Sequence, residues 1–223
     1  MSILRHITFD IETIPYRGTL TRSQEEEIIK KSKSILKNSE PTEEELASVR
    51  GLVMATNPFL GEIICIGLHG ASMTGEEEST ALIGEEKEIL QKFWNAIGKF
   101  SGTFVSFNGL DFDAPFIIKR SLFHKVVPTN NSFLDLKRFS RYPHFDTRAV
   151  INDFDKYATG NLDLITQFCG IESPKEGDIK AENVAQAFND GRISEIADYC
   201  LKDVVATYKL YLLIRDYTFK PTR

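Results

Sequence analysis

Apolar positions run in short, closely spaced stretches near the N-terminus, open to helical spacing in the middle, and stay helical through the last third. The run ILRHITF, residues 3–9, reads as an apolar strand, and EIICIGLHG, 62–70, as a second bounded by Gly61 and Gly70. STALIG (79–84) reads as a third, and GTFVSFNG (102–109) as a short buried one. Between these last two, EEKEILQKFWNAIGKF places apolar residues at 89, 90, 93, 94 and 97, the recurrence of one helix face. DAPFIIKRSLF opens another helix, with Asp113 near its N-cap and Pro115 in its first turn. NLDLITQFCG, AENVAQAFND and the long RISEIADYCLKDVVATYKLYLLIRDY complete a helical C-terminal third. Three consecutive strands followed by alternating helices and strands predict an α/β chain: one mixed β-sheet flanked by α-helices.

One segment interrupts this pattern. From about 18 to 58 the chain reads as a helical insertion after the first strand. Thr21 and Ser23 are candidate N-caps followed by Gln24 and Glu26 three residues on, and Thr42 with Glu45 repeats the signature. Its charges read as a solvated helix face, with Lys30, Lys31 and Lys33 as the residues that would meet a polyanion. At 223 residues the chain is expected to form a single domain spanning 1–223.

Composition narrows the function classes. With 42% apolar and 26% charged residues the chain is an ordinary globular one. A net charge of -5 argues against a sequence-blind nucleic-acid coat, whose affinity comes from neutralising phosphates. No apolar run approaches the roughly 20 residues of a membrane span, and MSILRHITF enters a strand without a signal-peptide pattern, so a cytoplasmic protein is expected. Cys65, Cys169 and Cys200 lie far apart and show no zinc or disulfide spacing. His6, His69, His124 and His144 form no HExxH motif.

The candidate chemistry is acidic. Directly after the first strand, TFDIETI sets Asp10 and Glu12 two residues apart, so both side chains leave the same face. Two carboxylates so close need a raised pKa, a basic partner or a metal cation. SFNGLDFDAPF brings Asp113 to the exit from a strand into a helix, where sites assemble in open α/β sheets, although an N-cap Asp reads the same way. In DYCLKDVVATY, Tyr199 and Asp203 share one helix face and Asp198 points elsewhere; Asp203 lies mid-helix among packed neighbours, where it needs a cation or a basic partner. Together Asp10, Glu12, Asp113 and Asp203 suit hard cations, Mg²⁺ or Mn²⁺, and two such ions can drive in-line phosphodiester hydrolysis.

In order and spacing these motifs resemble the DEDD exonuclease superfamily of the ribonuclease H-like fold. FDIET matches its first motif, NGLDFDAPF its second, and YCLKD its third in the tyrosine form. FDIETIP, EIICIGL and GRISEIADYCLKDVVATYKLY look most like predicted 3′-to-5′ exonucleases related to the proofreading domain of family B DNA polymerases. The resemblance spans nearly the whole chain apart from the insertion. It implies Asp10, Glu12, Asp113 and Asp203 as ligands of two divalent metal ions and Tyr199 as the residue that orients the attacking water. It further implies that Thr13 and Ile14 line the pocket of the terminal nucleotide and that Asn108 and Phe112 help position the strand; the plain alternatives are a turn-forming Asn108 and a core Phe112.

The implied activity is a 3′-5′ exonuclease acting on the 3′ end of single-stranded nucleic acid, DNA first. A ribonuclease D-like exoribonuclease and a catalytically idle nucleic-acid-binding scaffold are the alternatives. No polymerase motif accompanies the three exonuclease motifs, so proofreading within this chain is not expected. Strand-holding candidates are Lys119, Arg120 and Lys125, and Lys137, Arg138, Arg141 and Tyr142, which read equally well as solvated loops. The acidic whole predicts weak substrate affinity unless metals or a partner supply it.

Overall fold

The first strand, β1 (Leu4–Pro15), forms the middle of a five-stranded sheet. On one side it pairs antiparallel with β2 (Gly61–Ser72), which pairs antiparallel with β3 (Glu77–Ile83). On the other it runs parallel to β4 (Thr103–Ser106), and β4 to β5 (His144–Asp146). The order is β3-β2-β1-β4-β5. The structure, a computed structural model, describes residues 4–72, 74–172 and 178–218. Eight helices accompany the strands in it: α1 (Arg22–Leu36), α2 (Glu43–Ala55), α3 (Glu86–Ile97), α4 (Asp113–His124), α5 (Thr147–Ile151), α6 (Leu162–Phe168), α7 (Val184–Asn189) and α8 (Ile193–Thr218).

Alternation along β1 separates core from chemistry. Ile7, Phe9 and Ile11 pack with Ile89, Phe93 and Trp94 of α3 and Phe116 and Ile117 of α4. The intervening positions face α8. The His6 ring meets those of Tyr208 and Tyr211, and Asp10 meets Cys200. Farther along, α8 buries Tyr208, Leu210, Tyr211 and Ile214 against Val105 and Phe145, so the long helix is locked to the sheet by its own apolar face.

The strands differ from the sequence expectation in two places. Asp10 and Glu12 do not follow the first strand but lie inside it, because pairing with β2 continues to Pro15. The stretch read as a basic loop contains β5, three residues long and too short to show a period. The insertion is present as two helices. Thr21 with Gln24 and Thr42 with Glu45 form capping boxes, while Ser23 falls within α1 rather than at its cap. Ile28, Val53, Met54 and Leu60 give the helix pair its own small core, and Arg50 grips Glu25 through two 2.8 Å hydrogen bonds.

Gly67, paired with Asp10, is what lets α8 approach the sheet. A Cβ there would sit 2.8 Å from Cys200 Sγ, 3.2 Å from the Cys200 carbonyl oxygen and 3.3 Å from Val204 Cγ1. Gly67→Ala is therefore expected to push α8 outward and cost about 1–3 kcal/mol. Urea denaturation should show the loss, and the same variant should lose any activity that needs α8 residues beside Asp10.

Candidate active site

Asp10 and Glu12 point from β1 toward α8, and among the described residues their carboxylate oxygens and Cys200 Sγ all lie within 4.8 Å of one another. Two further acids stand around this trio. Asp113 is the first residue of α4, yet it does not cap that helix: the cap position is Phe112, which makes no side-chain cap bond. Instead Asp113 Oδ1 accepts a 3.0 Å hydrogen bond from the Ile11 N–H, beyond the point where β4 stops pairing with β1. The carboxylate completes the strand's hydrogen bonding while standing beside Asp10. Asp203 arrives from α8, and Tyr199, one turn earlier, hydrogen-bonds to it. Asp198 is exposed on another face, as its spacing predicts.

The electrostatics are those of a buried cluster of acids. Burial holds the Asp10 carboxyl well above the usual carboxylate range, and Asp113, Glu12 and Asp203 push it further. Glu12 is raised by burial and then by Asp203. Burial lifts Asp113 to about 7 despite hydrogen bonds from backbone N–H groups. The Tyr199 phenol is raised by burial and by the negative charge of Asp203, Glu12 and Asp10, so it stays protonated at neutral pH. The charges acting on Asp10 and Glu12 are those of other acids and Cys65. Oxygen donors that repel one another in this way fit a hard divalent cation. Cys200 completes the trio as a buried thiol whose pKa is pushed up by its hydrogen bond with Cys65 and by burial, which makes it a poor ligand for such an ion.

One structural acid escaped the sequence reading. Asp146, 2% exposed at the end of β5, accepts hydrogen bonds from the backbone N–H groups of Asn108 (2.9 Å), Leu110 (3.1 Å) and Ala149 (3.0 Å). It both caps α5 and fixes the loop that delivers Asp113. Its local signal was an Asp followed by a short helical run; its second role depends on contacts 36 and 38 residues away. In the same loop Gly109 is required by close approach, since a Cβ would stand 2.3 Å from Ser106 Oγ.

The residues expected to hold substrate are not gathered as tightly. Thr13 donates its hydroxyl to the Ala55 carbonyl at 2.7 Å, joining β1 to α2. Ile14 is 2% exposed and packs with Ile64, Cys65 and Ile196. Asn108 makes the turn, with φ of 65° and its side-chain oxygen accepting from Arg148 at 3.1 Å. Phe112 is half-buried against Phe116, ring centres 5.5 Å apart. Arg120 is 3% exposed and bound to Glu86, so it belongs to the interior, whereas Lys119 and Lys125 are exposed. Arg138 pairs with Asp111, Lys137 with Asp135 at 2.7 Å, and the exposed Tyr142 donates its hydroxyl to the Ser101 carbonyl. Arg141 is half-buried.

A five-stranded mixed sheet carrying acids on its central strand, on the helix after the fourth strand and on the last long helix defines a nuclease-like α/β protein. Residues 67–220 match the family described as predicted 3′-5′ exonucleases related to the exonuclease domain of family B DNA polymerases, and the chain belongs to that family. The matched span contains Asp113, Tyr199 and Asp203, while Asp10 and Glu12 precede it. An uncharacterised protein of Methanocaldococcus jannaschii is 24% identical over 171 residues, 72% of this chain and 89% of that one. The family B DNA polymerase of the hyperthermophilic archaeon Pyrobaculum calidifontis superposes with a TM-score of 0.60 at 17% identity, over 95% of this chain and 24% of the polymerase. This chain thus spans about a quarter of that enzyme's length and shares the fold of the matching part, the ribonuclease H-like arrangement. Among the described residues no helix is long and apolar enough to cross a membrane.

Two predictions follow from this geometry. Asp146→Ala strands three backbone N–H groups and should cost roughly 2–4 kcal/mol, read as a melting temperature lower by about 5–10 °C. Asp10→Asn removes repulsion and should raise the melting temperature of metal-free protein at pH 8. A carboxyl whose pKa is higher folded than unfolded binds its proton more tightly in the folded state. For Asp113 that stabilisation is complete below the ordinary value of 3.8 and is lost as pH rises through about 7. The advantage of Asp10→Asn should therefore shrink on acidification; differential scanning fluorimetry between pH 5 and 8 would check it.

Proposed function

We propose that this protein is a metal-dependent 3′-5′ exonuclease that removes nucleotides from the 3′ end of single-stranded nucleic acid, DNA in the first instance. The observation that supports it most is the gathering of Asp10, Glu12, Asp113 and Asp203 around one place, where burial and the neighbouring acids hold the Asp10 and Glu12 carboxyls high and Tyr199 stands one turn from Asp203. The four carboxylates would hold two divalent cations, Mg²⁺ or Mn²⁺. Such a pair, when bound, activates a water and stabilises the attacking and leaving oxygens of an in-line displacement.

The chain's own groups then have distinct tasks. Tyr199 remains a neutral phenol at working pH, so it serves as a hydrogen-bonding residue that orients water and not as a general base. Asp113 is held in place by the Ile11 N–H and retains its second oxygen for the centre. Cys200 closes the floor behind Asp10, its thiol 3.7 Å from both the Asp10 carbonyl oxygen and Oδ2, and keeps bulk water from that side. Asp10 keeps partial exposure, whereas Glu12 and Asp113 are buried.

The test is stepwise shortening of a 5′-labelled oligonucleotide in Mg²⁺ or Mn²⁺. Asp10→Ala should abolish it, and Tyr199→Phe should slow it on the order of 10- to 100-fold without weakening metal binding by calorimetry. Wild-type protein that releases nothing, or an Asp10→Ala variant of undiminished activity, would refute the proposal. Equal-length DNA and RNA substrates decide between a deoxyribonuclease and a ribonuclease D-like enzyme, and an idle scaffold would bind no divalent ion at the acids.

A further inference from the structure

The helical insertion carries its own charge pattern. Among residues 30–39 the charged positions are Lys30, Lys31, Lys33 and Lys37, with no acid between them. The acids one turn earlier are engaged: Glu26 with Arg22 at 2.9 Å, and Glu27 with Lys30 and Lys31 at 3.6 and 4.0 Å. A cavity of about 920 Å³ opens between α1, the 56–60 turn and α4, lined by Lys30, Lys31, Phe59 and Lys119. A second depression, about 610 Å³, continues on α1 past Lys30 to Lys33 and Lys37. Lysines that lie about ninety residues apart in the chain thus border one groove.

The groove also presents an aromatic face. Phe59 is 64% exposed, and Lys119 Nζ stands 5.5 Å from its ring centre. The ring is carried by an ordered turn, with the Phe59 N–H donating to Asn57 Oδ1 and Gln24 Nε2 donating to the Phe59 carbonyl, each at 3.0 Å. That turn is fastened to the acidic strand. The Tyr16 N–H donates to the Leu60 carbonyl at 2.9 Å, and Thr13, next to Glu12, donates to the Ala55 carbonyl.

We propose that the insertion, with Phe59 and Lys119, is a binding groove for the upstream part of a single-stranded nucleic acid. The assignment rests on the exonuclease reading for the strand's relation to the acidic centre. In a chain of net charge -5, five lysines against Glu26 and Glu27 concentrate positive charge where phosphates can follow α1. Phe59 adds a stacking surface for a base, the combination by which single strands are held without regard to sequence. An acidic polypeptide would satisfy the lysines but offers the ring no stacking partner.

The test is fluorescence anisotropy of a fluorescein-labelled 16-mer of thymidylate in EDTA, so that binding is read without hydrolysis. The variant Lys30→Glu/Lys31→Glu/Lys119→Glu should bind at least about 10-fold more weakly, and the slope of log affinity against log salt should fall by about 2, at roughly 0.7 per lost phosphate contact. Phe59→Ala should weaken binding by about fivefold or more with the slope unchanged. Wild-type affinity and slope in the triple variant, or no oligonucleotide binding by the wild type, would overturn the groove. Displacement by poly-glutamate as effective as by thymidylate of equal charge would reassign it to an acidic polypeptide. A protein that hydrolyses 3′ ends but binds independently of these residues loses only this inference. One whose binding depends on them but which hydrolyses nothing loses only the exonuclease reading.

Discussion

Mutual repulsion among carboxyls packed around Asp10 is the constraint on which the rest of this structure turns. Left to themselves such groups separate or take up protons; here burial raises the pKa of Asp10, Glu12 and Asp113, and the neighbouring acids push Asp10 and Glu12 further. What holds them is framework assembled from distant parts of the chain. The middle strand fixes Asp10 and Glu12 through pairing with β2, the Ile11 N–H beyond the end of β4 pairing holds Asp113, and apolar packing of α8 brings in Tyr199 and Asp203.

The framework works because β1 separates its two faces. One face gives Ile7, Phe9 and Ile11 to a core shared with α3 and α4, where aromatic rings of Phe9, Phe93, Phe104 and Phe133 meet edge to face or tilted. That burial anchors the strand so that the other face can carry acids. Gly67 is the complementary concession: with no side chain opposite Asp10, the backbone of α8 comes within contact of the sheet. The acids are therefore supported by the hydrophobic layer on the strand's other face and by a glycine that lets α8 close over them.

Membership in a family of predicted exonucleases accords with this arrangement, and the insertion lies before the matched span. α1 and α2 are self-sufficient as local structure, with two capping boxes and a small core, and join β1 and the chain just after it through Thr13 and Tyr16. The insertion thus folds on local signals and docks beside the strand that carries Asp10 and Glu12.

Much was legible without coordinates. The insertion was marked by Thr-x-x-Gln and Thr-x-x-Glu, the helix α3 by its apolar spacing, and the acids by their types: two on alternate strand positions, one at a strand exit, one in mid-helix below a tyrosine. Periodicity and capping are local, so they survive reduction to a string of letters. Strand β5 and the task of Asp146 were not visible, because a three-residue strand has no period and the N–H groups that Asp146 satisfies lie in another loop. The same holds for Asp113, which the sequence offered as a helix cap and the fold used to satisfy the Ile11 N–H. Residue types determined what chemistry this protein has at hand; only packing decided which acids share a space, which lysines share a groove, and which side chains serve the interior, because those depend on contacts between residues far apart in the chain.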